Sequence, residues 1–162
     1  MFYECRKFLI DKLKESGIRM EPITSTKKLN TYTDSHVGAV LFHEENLNRN
    51  GSKRLYEDQT GAARRRRKIF DRNLSFGVVI GEYDPQKAEI IYEEFLRNLG
   101  SGLYIDGNFI YAEPSDAEWA EGEDSILKAK IAVQLKVTFS GGVYRDTDYL
   151  DIGGKQLDIK TE

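Results

Sequence analysis

The chain is poor in the residues from which catalytic and metal centres are usually built. Cys5 is its only cysteine and His36 and His43 its only histidines in 162 residues. A lone cysteine excludes an intrachain disulfide and any multi-cysteine metal site, and it fits a reducing compartment. His43 is followed by Glu44 and Glu45, yet no further histidine or cysteine completes a ligand set, so surface or half-buried roles are expected for both imidazoles. No P-loop, no G-x-S-x-G and no dinucleotide glycine fingerprint occurs, and the glycines of "SGLYIDG" and "SGGVYRD" read as turns or bulges. Neither catalysis nor a cofactor is expected.

Long apolar runs are also missing. No segment approaches the roughly 18 to 20 residues a membrane helix requires. The opening "MFYECRKFLIDKLKESG" is broken by Glu4, Arg6, Lys7, Asp11 and Lys12, and no small-residue cleavage site follows, so it does not read as an export signal. A soluble protein without a membrane partner is expected. Charge of one sign is not in excess either: 24 Lys and Arg stand against 27 Asp and Glu, for a net −3 and a pI near 5.6. A surface built throughout to coat nucleic acid is therefore excluded, and any basic function must be local.

What is present suits one α+β domain over residues 1–150, with 151–162 as a peripheral or flexible extension. Phe2, Cys5, Phe8, Leu9 and Leu13 recur at helical spacing before Ser16 and Gly17. A second helix is stronger: in "DPQKAEIIYEEFLRNLG", Asp84 caps, Pro85 suits the first turn, Gly100 follows the last, and Ala88, Ile91, Phe95 and Leu99 form a stripe. Between them "GIRMEPI" reads as a short strand, "TSTKKLNTYTDSH" as a loop, and "VGAVLFHEENL" and "LSFGVVIGEYD" as strands. "LYIDGNFIYAEP" reads as a hairpin across Asp106, Gly107 and Asn108, with "AEWAE" as a separate strand fragment. In the last strand Ile131, Val133, Leu135, Val137 and Phe139 alternate with Lys130, Gln134, Lys136 and Thr138, giving one dry and one wet face. Two one-sided helices covering a mixed, mostly antiparallel sheet is the expected architecture.

The unusual stretch is "AARRRRKIFDR", residues 62–72. Read with "KRLYEDQ" and the turn "TGA", it forms a long basic β-hairpin over about 52–72, projecting from the sheet edge. Strand alternation sends Arg65 and Arg67 one way and Arg64, Arg66 and Lys68 the other. Both faces are charged, and burying unpaired guanidinium groups costs several kcal/mol each, so the arm cannot lie between apolar layers. Glu57 and Asp58 fall opposite some of the arginines, but two acids do not balance five bases. Three roles stay open: docking on an acidic face of another subunit, contact with DNA phosphates, or a solvated edge that resists strand aggregation. Aromatic residues do not interleave the block as they do in many single-strand binders.

Its acidic counterpart is "EPSDAEWAEGEDS", six carboxylates around one tryptophan. Hard-cation loops need an ordered oxygen spacing that is absent here, so no metal is expected. Glu113, Asp116, Glu118 and Glu121 are candidates to meet the arginine arm of the next subunit, with Trp119 as a buried anchor. A loop over the sheet with Trp119 in the chain's own core is the equal alternative.

The N-terminal helix, the "RRRRK" hairpin, the unit "FGVVIGEYDPQKAEIIYEEFL" and the final strand ending "FSGGVYRD" together resemble the tail terminator family of long-tailed bacteriophages, over roughly residues 1–148. Head–tail neck proteins look alike at this level. The resemblance implies a subunit that assembles as a six-membered ring on a finished tail tube. Such a ring stops tube polymerisation and offers the head connector a surface, with DNA passing through its lumen without sequence-specific contact. It implies a place in the tail–neck region of the virion, assembled in the host cytoplasm. The alternative is a small nucleic-acid-binding module that uses Arg64–Lys68.

Overall fold

A computed structural model of the chain describes residues 1–122 and 131–148. Three helices, α1 (Phe2–Glu15), α2 (Thr26–Asn30) and α3 (Pro85–Leu99), accompany six strands: β1 (Val37–Arg49), β2 (Lys53–Glu57), β3 (Ala63–Glu82), β4 (Gly102–Ile105), β5 (Asn108–Glu121) and β6 (Ile131–Asp148). The strands form one antiparallel sheet in the order β1-β3-β6-β5-β4, with β2 also beside β3. The expected α+β class, a mostly antiparallel sheet packed by helices, is what the chain adopts. Contacts divide it into two compact units, one of Met1–Leu47 with Arg72–Gly141, the other of Asn48–Asp71 with the chain from Gly142.

In the first unit the two long helices form where their apolar spacing places them. Cys5, Leu9 and Leu13 of α1 and Ala88, Ile91, Phe95 and Leu99 of α3 are buried. Asp84 Oδ1 accepts the Gln86 amide at 3.0 Å and so caps α3. The stripes cover one sheet face, to which β3 sends Leu74, Phe76, Val78 and Ile80 and β6 sends Val133, Leu135, Val137 and Phe139. Every second residue serves this core, as strand geometry requires. Phe76 meets Phe2, Phe42 and Phe139 at centroid distances of 5.6, 5.9 and 6.0 Å, and these contacts pack α1 onto the strands.

The opposite sheet face carries no long helix. A small cluster of Ile23, Leu29, Val37, Ala39, Val79 and Ala132 covers one end of it, and two expectations change there. "GIRMEPI" is not a strand: Ile23 alone bridges to Ala39, through Ile23 N to Gly38 O and Val40 N to Ile23 O, both 2.8 Å. The polar run after it is not all loop either, because Thr26–Asn30 winds into α2. One apolar residue leaves no period to read. Burial of Leu29 in the cluster supplies the tertiary contact that holds so short a helix.

The remaining differences lie in the strands. The β4–β5 turn has only two residues, Asp106 and Gly107, at φ 49° and 71°, and Asn108 already pairs with Ile105. This is the left-handed geometry that an Asp-Gly hairpin supplies. "AEWAE" is no separate fragment and no loop: β5 runs through it, shifting register between Ser115 and Glu118, with Asp116 at φ 50°. Gly141 and Gly142 lie within β6 rather than in a turn. The expected extension 151–162 lies outside the described residues.

Candidate interface: the arginine hairpin and the helix-free sheet face

In the second unit β2 pairs with the start of β3, matching Lys53 to Arg67, Arg54 to Arg66, Leu55 to Arg65 and Tyr56 to Arg64. The connection is tight. Asp58 Oδ1 accepts from the amides of Thr60 (2.9 Å) and Ala62 (3.1 Å) and from the Thr60 hydroxyl (2.6 Å). The Thr60 hydroxyl, then the Arg64 guanidinium and the two amides, hold the Asp58 carboxyl far below the usual carboxylate range. β2 and the start of β3 are thus joined by a turn at Asp58–Ala62.

Along β3 the cations separate by face as alternation demands: Arg64, Arg66 and Lys68 are half-buried, while Arg65 and Arg67 are exposed. On the half-buried side Arg66 grips Asp146 with two bonds, Nε to Oδ1 at 2.7 Å and Nη2 to Oδ2 at 2.6 Å. Its guanidinium also lies over the rings of Tyr56 (4.9 Å) and Tyr144 (5.6 Å), and Tyr56 Oη donates to Asp146 at 3.0 Å. Hydrogen bonds to Asp146 raise Arg66, and the same bonds lower Asp146. Arg64 pairs with Asp58 at 2.8 Å and with Asp148, and Lys68 pairs with Asp71 at 2.6 Å. The Lys68 bond, followed by one from Asn50 at 2.9 Å, lowers Asp71.

This corrects one expectation about the acids. Glu57 lies opposite Ala63, not an arginine, and apart from Asp58 the carboxylates come from Asp71 and from the far end of β6. The packing is close: a Cβ on Gly142 would meet the Lys68 side chain and sit 3.0 Å from the Phe70 carbonyl oxygen. No side chain is tolerated there without movement.

The other side of the hairpin presents Lys53, Leu55, Arg65 and Arg67, and alternation in β6 adds Val143 and Arg145, because Tyr144 and Asp146 face Arg66. All six are exposed, Leu55 to 58%. Glu57 is the one acid that alternation puts on this side of β2. The outward row is thus four cations and one carboxylate around two aliphatic side chains.

In the first unit the acidic stretch of β5 does not act as one surface. Tyr111, Glu113 and Ser115 pair with Ser140, Thr138 and Lys136, and Glu118 pairs with Gln134, which places them on the helix-free face. Trp119 and Glu121 pair with Val133 and Ile131 and so face the helices. Trp119 is not in the chain's own core, as one reading of the sequence expected: it is 43% exposed and meets Tyr92 of α3 edge-on at 5.4 Å.

Along the helix-free face, Asp116, Glu118, His43, Gln134 and Lys136 line an open groove of about 150 Å³ over Gly77. Lys136 Nζ crosses to Glu44 at 2.8 Å. Beyond the groove, Tyr104, Phe109 and Tyr111 form a ladder of edge-on rings at 5.0 and 4.9 Å.

Sequence reasoning missed one polar centre. Glu82, 3% exposed at its side chain, contacts His36 Nδ1 and the Lys87 ammonium, the latter at 3.1 Å. The Arg19 amide donates to His36 Nε2 at 3.1 Å, so Nδ1 carries the proton toward Glu82. Burial works to raise the Glu82 carboxyl, but the bonds from His36 and Lys87 outweigh it and hold it below the ordinary range. A glutamate closing an apolar strand was the available signal. Cys5 is inert by contrast, its thiol pushed up to about 12 by burial. Among the described residues no group of histidine, cysteine or carboxylate side chains is arranged to hold a metal.

No protein-family model matches the chain, and comparison with curated proteins gives no match.

Proposed function

We propose that the chain is a structural assembly protein of the tail-terminator kind, a subunit that joins copies of itself into a ring on a tail tube and presents a second surface to the head connector. One observation carries this reading: Arg64, Arg66 and Lys68 are held by Asp58, Asp148, Asp146 and Asp71, while the side chains of the outward row are exposed. Ion pairs and ring contacts behind the strand fix its backbone, so the row is pre-organised and little ordering cost remains on docking. Two aliphatic side chains amid the cations suit a protein partner, whose surface is part apolar and part acidic. The organisation of α1, the hairpin, the β3–α3 unit and β6 supports the same family likeness, and with it a virion tail–neck location. A ring capping a tube needs different surfaces above and below, so that addition of tube rings ceases at it.

A nucleic-acid-binding module is the second reading, favoured by the same four cations, since phosphate contact needs little besides charge. Light scattering on the nuclease-treated protein, at low and high salt and with duplex DNA added, separates the two. Salt-sensitive self-association without DNA affinity is the expected result. A monomer that binds generic duplex with a steep salt dependence would overturn the assembly reading.

A further inference from the structure

We infer that the aromatic end of the sheet face opposite α1 and α3, built on β4 and β5, is the seat for the outward hairpin row of a second copy of this chain. The inference rests on the assembly reading and names the surface that reading leaves open. Tyr104 is 76% and Tyr111 57% exposed, and with Phe109 they make a continuous ring surface that no helix among the described residues covers. Aromatic surface this exposed marks an interaction site.

Charge chooses the occupant. Glu113, Asp116 and Glu118 continue the face from Tyr111, and among the described residues neither Glu113 nor Glu118 has an ion-pair partner. Lys136, which lines the groove with Asp116 and Glu118, is already held by Glu44. Such a surface repels phosphate and attracts cations. The outward row supplies these as Lys53, Arg65, Arg67 and Arg145, with Leu55 and Val143 to lie on the rings. Guanidinium over tyrosine is the contact the chain already uses at Arg66, on Tyr56 and Tyr144.

The strand edge decides the manner of docking. Past Tyr111, β5 has β6 on one side and no partner strand on the other among the described residues. Pro114 and the register shift at Ser115–Glu118 spoil that edge for strand addition. Binding therefore runs through side chains on the face, not through a continued sheet. Because the two patches are unlike, each copy gives one and receives the other, a head-to-tail contact, the kind from which a ring is built when the rotation between copies closes.

The test is a charge swap read by analytical ultracentrifugation of the full chain, with thermal melts confirming the fold. Arg65→Glu/Arg67→Glu and Glu113→Lys/Glu118→Lys are each expected to weaken association by ~10-fold or more, and the chain carrying all four changes to recover it. Tyr111→Ala, which removes a ring and no charge, is expected to weaken it as well. Loss with the arginine pair but wild-type association with the glutamate pair would overturn this seat while leaving the assembly reading intact. Failure of the four-fold variant to recover, with each pair alone disruptive, would also overturn it. A wild-type chain that is monomeric at every concentration and salt would overturn both.

Discussion

Arg64 and Arg66 on one side of β3, and Arg65 and Arg67 on the other, are chain neighbours of identical chemistry. The first two are half-buried against Asp58, Asp146, Asp148 and two tyrosines; the second two are exposed. Strand pitch alone makes the division, and two of the three acids that exploit it, Asp146 and Asp148, come from β6, some eighty residues along the chain. A run of like charge is therefore two objects: a structural ion-pair row and a presented surface.

The sharpest way to break this comparison is to remove one residue from each side. Arg66→Ala is expected to cost about 1 to 2 kcal/mol, for a two-bond pair that is still partly solvated, with the loss concentrated in hydrogen-exchange protection of β2 and the first half of β3. Arg66→Lys should recover only part of it, because an ammonium cannot reproduce the two-pronged contact with Asp146. Equal costs at Arg65 and Arg66 would erase the distinction.

Gly142→Ala sharpens the comparison from behind the strand. The added methyl presses on the Lys68 side chain and the Phe70 carbonyl, and about 1 kcal/mol of lost stability in denaturant titration is expected. The outward row should keep its chemistry but lose its fixed backbone, so association should weaken more than melting does.

Acid provides a third test. Asp58, Asp71 and Asp146 all lie below their ordinary values in the folded chain. A carboxyl lowered on folding stabilises fully above its unfolded value, about 4, and that stability is lost as pH falls through the folded value. Hairpin protection is therefore expected to hold from neutrality to about pH 4 and to fall below it. Glu82, lowered by His36 and Lys87, should add a loss of the same sign in the first unit. Unchanged protection of the hairpin amides at pH 2 to 3 would contradict the ion-pair row. The smallest effect belongs to Arg65→Ala/Arg67→Ala, expected to move stability by no more than about 0.5 kcal/mol.

Periodic features were legible in the sequence and pairings across the sheet were not. The stripes of α1 and α3, the two faces of β6 and the alternation of the arginines all follow from local spacing, and all appear in the fold. That Asp146 and Asp148 would meet Arg66 and Arg64 depends on β6 lying beside β3, a register no local pattern encodes. Trp119 and Glu121 were grouped with Glu113 and Glu118 because they are adjacent in the chain, whereas pairing with β6 puts them on opposite faces. His36 and Glu82 were missed for the same reason: 46 residues separate them, and the fold alone brings them together.

The central claim is that the outward row is an interface and the inward row a scaffold. Light scattering of Arg65→Glu/Arg67→Glu beside the wild type, at one low ionic strength and after nuclease treatment, tests it most directly. The account predicts an associating wild type and a monomeric variant with an unchanged melting temperature. A variant that associates like the wild type, or one that fails to fold, would contradict it.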